Sequence, residues 1–140
     1  LKAAGFLAMV ISNQSGIGKG EVLQSDLDQI TQVLHNAFEA IDTHLDGVYY
    51  CPHKPDAGCD CRKPLPGLLK QATMGIEVDM GQSYMVGDSQ KDVLAGHAFG
   101  VKSILLLTGK TQLNSVHDWA DQPDFIANDF EEAALWILAN

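Results

Sequence analysis

The sequence predicts an α/β fold: a three-layer, Rossmann-like, mainly parallel sheet with helices on both faces, plus a cysteine-rich loop. Three observations lead there. Short apolar runs alternate with stretches of helical periodicity, the signature of βαβ units. The first run, Phe6-Leu7-Ala8-Met9-Val10-Ile11, is continuous rather than alternating, as in a strand buried on both faces. Polar clusters fall at or just after strand ends, namely Ser12-Asn13-Gln14, Arg62-Lys63 and Asp88, and parallel sheets bind ligands along that edge.

The elements follow in order. The run at 6–11 is the first strand, stopped by Ser12-Asn13-Gln14-Ser15-Gly16. Ser25 is placed to cap a helix in which Leu27, Ile30, Val33, Leu34, Ala37, Phe38 and Ile41 recur at helical spacing. Gly47-Val48-Tyr49-Tyr50 is a second strand running into the cysteines. Pro66 suits a helix start, with Gly67 to Met74 as its body. Ser83-Tyr84-Met85-Val86 is a third strand, ended by Gly87-Asp88. A helix over Gln90 to Phe99 turns Val93, Leu94, Ala98 and Phe99 inward, and Gly100 stops it. Lys102 to Thr108 and Asp124 to Ala127 are the last strands, and Phe130 to Leu138 the closing helix.

Length and charge narrow the function. One domain with a real core, spanning 1–140, is what this length predicts. A formal net charge of −9 repels nucleic acid and anionic membranes at long range, so neither is an expected partner. No apolar run approaches the roughly 20 residues of a bilayer span. No signal-peptide pattern is visible, so a cytoplasmic protein is expected. The chain starts at Leu1, in mid-pattern, and a longer natural polypeptide is expected from that.

The strongest local signal is Cys51-Pro52-His53-Lys54-Pro55-Asp56-Ala57-Gly58-Cys59-Asp60-Cys61. Cys51, His53, Cys59 and Cys61 make a complete tetrahedral Cys₃His set for zinc. All four positions are filled by protein, which predicts a structural ion. An odd, tight cluster of three cysteines is a poor disulfide framework. Arg62 and Lys63 follow at once. Arg can grip a phosphate through two parallel hydrogen bonds, and Lys supplies a compact charge. Asp88, after an apolar strand, suits Mg²⁺, which prefers oxygen ligands; it would also suit a helix N-cap. Asp92, one turn on, could support the same site. Ser12, Asn13, Gln14 and Ser15 offer hydroxyl, amide and backbone donors for phosphoryl oxygens. Gly16, Gly18 and Gly20 lack the P-loop spacing and read as flexibility.

In this order, the clusters resemble the haloacid dehalogenase superfamily, in its zinc-containing branch of small-molecule phosphatases. VISNQSG at 10–16 looks like the second motif, CPHKPDAGCDCRKP at 51–64 like the zinc loop running into the third, and YMVGDSQKD at 84–92 like the fourth. The resemblance implies that Ser12 and Lys63 stabilise the phosphoryl group and that Asp88 holds Mg²⁺. It also implies substrate contacts from Asn13, Gln14, Ser15 and Arg62, and Mg²⁺ with structural Zn²⁺ as cofactors. The implied reaction is hydrolysis of a phosphomonoester through an aspartyl-phosphate, in a cytoplasmic monomer.

The branch acts on a sugar bisphosphate or on histidinol phosphate. Gly16-Ile17-Gly18-Lys19-Gly20, Pro66-Gly67-Leu68-Leu69 and Leu107-Thr108-Gly109-Lys110 look more like the sugar enzyme, which implies carbohydrate metabolism leading to the lipopolysaccharide core. Two departures stand out. Ser89 replaces a basic residue of some relatives. The family's DxDGT-type motif, which carries the nucleophile, does not occur in these 140 residues. It is expected before Leu1 with its strand and helix, and the chain alone is expected to be inactive. The rival expectation is a non-catalytic, zinc-ordered phosphate-binding or interaction module.

Overall fold

The computed structural model describes residues 1–109 and 111–140, so Lys110 of the 107–110 segment lies outside the described residues. Its five strands are β1 (Met9–Asn13), β2 (Gly47–Cys51), β3 (Tyr84–Gly87), β4 (Lys102–Leu106) and β5 (Phe125–Ala127). Helices α1 (Ser15–Lys19), α2 (Gln24–Glu39), α3 (Gly67–Ala72), α4 (Gln90–Phe99), α5 (Leu113–Val116) and α6 (Phe130–Ala139) alternate with them.

Every strand pair is parallel, as expected, but the sheet is divided. β1 pairs with β2, from Met9 opposite Gly47 to Asn13 opposite Cys51. β3, β4 and β5 form a second sheet in that order. No ladder joins the two among the described residues. The expectation that the first strand is buried on both faces is not met in these 140 residues: all five β1 residues are half-buried. The strand also begins later than its apolar run. The Asp46 carboxylate accepts the Ala8 N–H at 2.6 Å, and the Asp46 N–H donates to the Ala8 carbonyl at 2.8 Å, which holds the chain just ahead of Met9.

Alternation along β4 puts helices on both faces of the larger sheet. Ile104 meets Ala127, Ala133 and Ile137 on the α6 side, with Leu106, Phe125 and Trp136 around them. Leu105 points the other way, to Val93 of α4 and Val116 of α5. Ser103 shares that side, fully buried, and its hydroxyl donates to the Val93 carbonyl at 3.0 Å. Gly96 lets α4 lie this close, since a β-carbon there would meet the Ser103 hydroxyl. The inward face of α4 is thus Asp92, Val93, Ala95 and Gly96, with Ala98 exposed, a correction to the expected face.

Two further corrections concern α2. Ser25 lies inside its first turn; the N-cap is Leu23, whose N–H donates to the Asp26 carboxylate at 3.1 Å. Leu27 is the buried contact, while Ile30 and Val33 are 58% and 68% exposed. The apolar positions of this helix form two stripes, and the inner one runs through Leu27, Thr31, Leu34 and Phe38. The short helix α5 was not expected at all.

Candidate active site and metal centre

Cys51 closes β2, and the loop after it folds back so that its donors converge. The ligand atoms of Cys51, His53, Cys59 and Cys61 all lie within 4.8 Å of one another. His53 turns Nδ1 inward, 3.6 Å from Cys51 Sγ and 3.2 Å from Cys61 Sγ. Cys51 Sγ is 3.6 Å from Cys59 Sγ and 2.9 Å from Cys61 Sγ. Tetrahedral zinc with Zn–S of about 2.3 Å separates its sulfurs by about 3.8 Å. The donor set fits that ion in number, type and spacing, with Cys51 and Cys61 moving slightly apart around it. Burial pushes the Cys61 thiol up, to about 12, and the neighbouring Cys51 and Cys59 thiols add to the rise. Cys59 moves the other way: burial alone would raise it, but the Arg62 N–H and the two other thiols outweigh that. Sulfurs this crowded hold protons unequally, and a divalent cation would replace those protons.

The glycines after β1 are not flexible spacers, which corrects that expectation. Ser15 to Lys19 form α1, closed by Gly20 at φ 74°. The Gly18 N–H donates to the Pro52 carbonyl at 2.9 Å, and a β-carbon on Gly18 would stand 2.5 Å from that oxygen. The Gln14 N–H donates to the Cys51 carbonyl at 2.8 Å. The loop after β1 is therefore docked on the backbone of the cysteine loop. On the far side, Gly67 lets α3 start directly against Asp60 and Cys61.

Lys63 lies where the halves of the molecule meet. Its Nζ is 2.6 Å from Asp92 Oδ1 and donates to the Ile11 carbonyl at 3.1 Å. The two side chains are 13% and 7% exposed. Its backbone is held as well: the Lys63 N–H donates to Asn13 Oδ1, and Asn13 Nδ2 donates to the Lys63 carbonyl, both at 3.0 Å. Asp92 accepts the Ser89 N–H at 3.1 Å and its hydroxyl at 2.6 Å, a capping box at the start of α4. Both oxygens of Asp92 thus have partners, Oδ1 at Lys63 and Oδ2 at Ser89, and through Lys63 it is tied to the same edge as Asp88.

Asp88 ends the β3 turn with its side chain exposed. Gly109 comes close above it, where a β-carbon would overlap the Asp88 carboxylate. The Thr111 hydroxyl donates to the Asp88 carbonyl at 2.7 Å. A single strand-end carboxylate fits Mg²⁺, which takes one or two protein carboxylates and fills its remaining positions with water and phosphate. Ser12 sits opposite Tyr50 near the end of β1, and its hydroxyl accepts from Gln14 Nε2 at 3.1 Å. That leaves the Ser12 O–H free to donate. Arg62 Nη1 donates to the His53 carbonyl at 3.3 Å, and Ser15 opens α1. Two of the positions expected to touch substrate therefore show other partners: Asn13 holds Lys63, while the Gln14 amide holds Ser12 and the Gln14 N–H is taken by Cys51. Gly18, Gly109, Thr111 and the Ile11 carbonyl were missed, the glycines because their use lies in what approaches them.

Ser12 near the end of β1, Lys63 just past the cysteine loop that follows β2 and Asp88 just past β3 all belong to the carboxyl edge of parallel strands, the edge at which an α/β hydrolase handles its ligand. The family described as HAD-hydrolase-like matches residues 60–133, and the chain belongs to that family of phosphatases. It is 40% identical over 125 residues to the D-glycero-beta-D-manno-heptose-1,7-bisphosphate 7-phosphatase of Helicobacter pylori, covering 89% of this chain and 72% of that protein. To the enzyme of the same name from Escherichia coli K12 it is 37% identical over 146 residues, covering 99% of this chain and 69% of that protein. Among solved structures it is similar to D,D-heptose 1,7-bisphosphate phosphatase from B. bronchiseptica, complexed with magnesium and phosphate. That likeness has a TM-score of 0.88 at 30% identity and covers 99% of this chain and 78% of the other. The Burkholderia thailandensis enzyme gives a TM-score of 0.74 at 28% identity, with 100% and 80% covered.

Proposed function

We propose that this chain carries the phosphoryl-stabilising and metal-binding residues of a phosphatase that removes the 7-phosphate of D-glycero-D-manno-heptose 1,7-bisphosphate. The observation that carries the reading is Lys63 fixed between Ile11 and Asp92, directly behind the Cys₃His cluster. The names of the similar proteins supply the substrate.

In this reading each residue has one task. Lys63 directs charge at the transferring phosphoryl oxygens, and the Ser12 hydroxyl donates to one of them. Arg62 grips the distal phosphate, which a simple monophosphate lacks. Ser15 opens α1, three residues after Ser12. Asp88 would hold magnesium, which when bound neutralises charge on the phosphate. Cys51, His53, Cys59 and Cys61 would hold a structural zinc that shapes the loop bearing Arg62 and Lys63. The phosphoryl acceptor implied by the family resemblance is an aspartate of a DxDGT-type motif. That motif does not occur in these 140 residues, so turnover is proposed for the protein that includes it. No helix among the described residues is long and apolar enough to cross a membrane. A cytoplasmic monomer acting on a phosphorylated sugar in lipopolysaccharide-core synthesis completes the proposal.

Steady-state kinetics on the natural full-length protein test it. Heptose bisphosphate should be preferred over histidinol phosphate by roughly a hundredfold or more in kcat/KM, since losing a gripped phosphate costs about 3 kcal/mol. Lys63→Ala and Asp88→Asn should each lower kcat far more than Ser89→Ala. Arg62→Ala should lose the bisphosphate preference while sparing a small aryl phosphate. Equal rates on the two natural substrates would sink the assignment.

A further inference from the structure

We infer that the Asn13 side chain is a positioning group that sets the direction of the Lys63 ammonium, not a substrate contact. Asn13 is the last residue of β1. Its amide offers one donor and one acceptor, and both meet the backbone of a single residue 50 positions away, at 3.0 Å each. The amide of Asn has the right length and polarity for this. Asp keeps the acceptor but turns a second oxygen toward the Lys63 carbonyl, and Ala has neither.

The same strand also holds the far end of the Lys63 side chain. Ile11, two residues before Asn13, accepts from Nζ at 3.1 Å. Asn13 amide, Lys63 backbone, Lys63 side chain and Ile11 carbonyl therefore close a ring on β1. An ammonium has three N–H donors. One goes to Ile11 and one to Asp92, which leaves a single N–H whose direction the ring fixes. Once the Asn13 contacts are gone, the lysine backbone can shift and the third N–H loses its aim.

The catalytic consequence rests on the phosphatase reading of Lys63, whereas the clamp itself does not. Two measurements separate them. The first is acetylation of the zinc-loaded protein by acetic anhydride, followed site by site with peptide mass spectrometry. Exposed Lys54 and Lys91 serve as internal references. Asn13→Ala removes the two part-buried hydrogen bonds that hold the Lys63 backbone, so Lys63 should label roughly tenfold faster relative to Lys91. Asn13→Asp, which is isosteric, should fall between that variant and the natural protein. It decides the matter alone if Asn13→Ala fails to fold. Unchanged Lys63 labelling in a folded variant overturns the proposal. The second measurement is kinetics on the natural full-length protein. Asn13→Ala should lower kcat with little change in KM, and Asn13→Asp should recover part of the loss. A fall in KM affinity without faster labelling would make Asn13 a substrate ligand and overturn the inference. Faster labelling with unchanged kcat would support the clamp and count against the catalytic role of Lys63.

Discussion

Asp92 divides its carboxylate between two masters: Oδ1 lies 2.6 Å from Lys63 Nζ, while Oδ2 accepts both the N–H and the hydroxyl of Ser89. One oxygen fixes a cation of the site and the other starts a helix. Gly87 makes the arrangement possible, because a β-carbon there would collide with Asp92.

Removing that charge should be costly. Asp92→Asn leaves the lysine in a poorly hydrated position without its counter-ion, and breaking such a pair costs about 3–5 kcal/mol. Asp88→Asn, at an exposed carboxylate, should change stability by under about 0.5 kcal/mol. Urea unfolding of both variants checks the contrast. Similar midpoints would mean that the ion pair adds nothing to the fold.

One zinc per chain is expected, with His53 bound through Nδ1. Chelation should free three titratable thiols and lower the melting temperature, since the loop between Cys51 and Cys61 has few buried side chains of its own. Metal analysis and thiol titration on protein purified without chelator check this. All three cysteines reacting at once, with no zinc present, would be decisive against it.

Gly109→Ala should act on Asp88 through both its carboxylate and its stem. The added methyl would stand 2.6 Å from Asp88 Cβ as well as against the carboxylate, so the turn that carries Asp88 must shift and not only the side chain. The magnesium concentration for half-maximal activity of the natural protein should rise roughly tenfold, the equivalent of about 1.4 kcal/mol of lost metal binding. A magnesium titration of the variant measures it, and an unchanged curve would show that the carboxylate relocates freely.

Acid should unfold the protein partly through two carboxylates. For Asp46, burial works against ionisation, but the Lys2 side chain and the Ala8 N–H overcome it and hold the group below its usual range. For Asp124, burial likewise opposes ionisation, and the Ser103 N–H and His97 outweigh it. A depressed folded-state value means stability that is complete above the unfolded value of about 3.9 and lost as pH falls through the folded one. Asp46→Asn and Asp124→Asn should therefore flatten the stability curve below about pH 4. Urea midpoints between pH 2.5 and 6 test it, and curves parallel to that of the natural protein would exclude the assignment.

Much of the fold was legible because parallel strands announce themselves as apolar runs. α4, β2 and β5 fall within one residue of their expected bounds, and α3 starts where Pro66 places it but stops at Ala72. The cysteine loop was legible for a different reason: four donors within eleven residues leave little else to form. What the chain does not announce is which partner satisfies a polar group. Asn13 and Gln14 carry donors suited to a phosphate, yet residues 12, 51 and 63 take them up, and that depends on how β1 and the cysteine loop pack. The buried face of α2 was misread because Ile30 and Val33 keep helical period with Leu27 and Leu34. Periodicity cannot tell two adjacent apolar stripes apart.

Across these 140 residues taken by themselves, a sheet in two pieces is also a fold with two lines of retreat. Among the described residues, the β1–β2 ladder and its cysteine loop share no hydrogen-bonded strand with β3, β4 and β5. Helix α3 packs on the first pair of strands and on α4, and the Lys63–Asp92 contact spans the same divide. Cooperative units commonly follow such seams. Backbone amides of β1 and β2 should then exchange with solvent as one group, sooner than those of β4, and metal binding at Cys51 should slow the first group while leaving the second almost untouched.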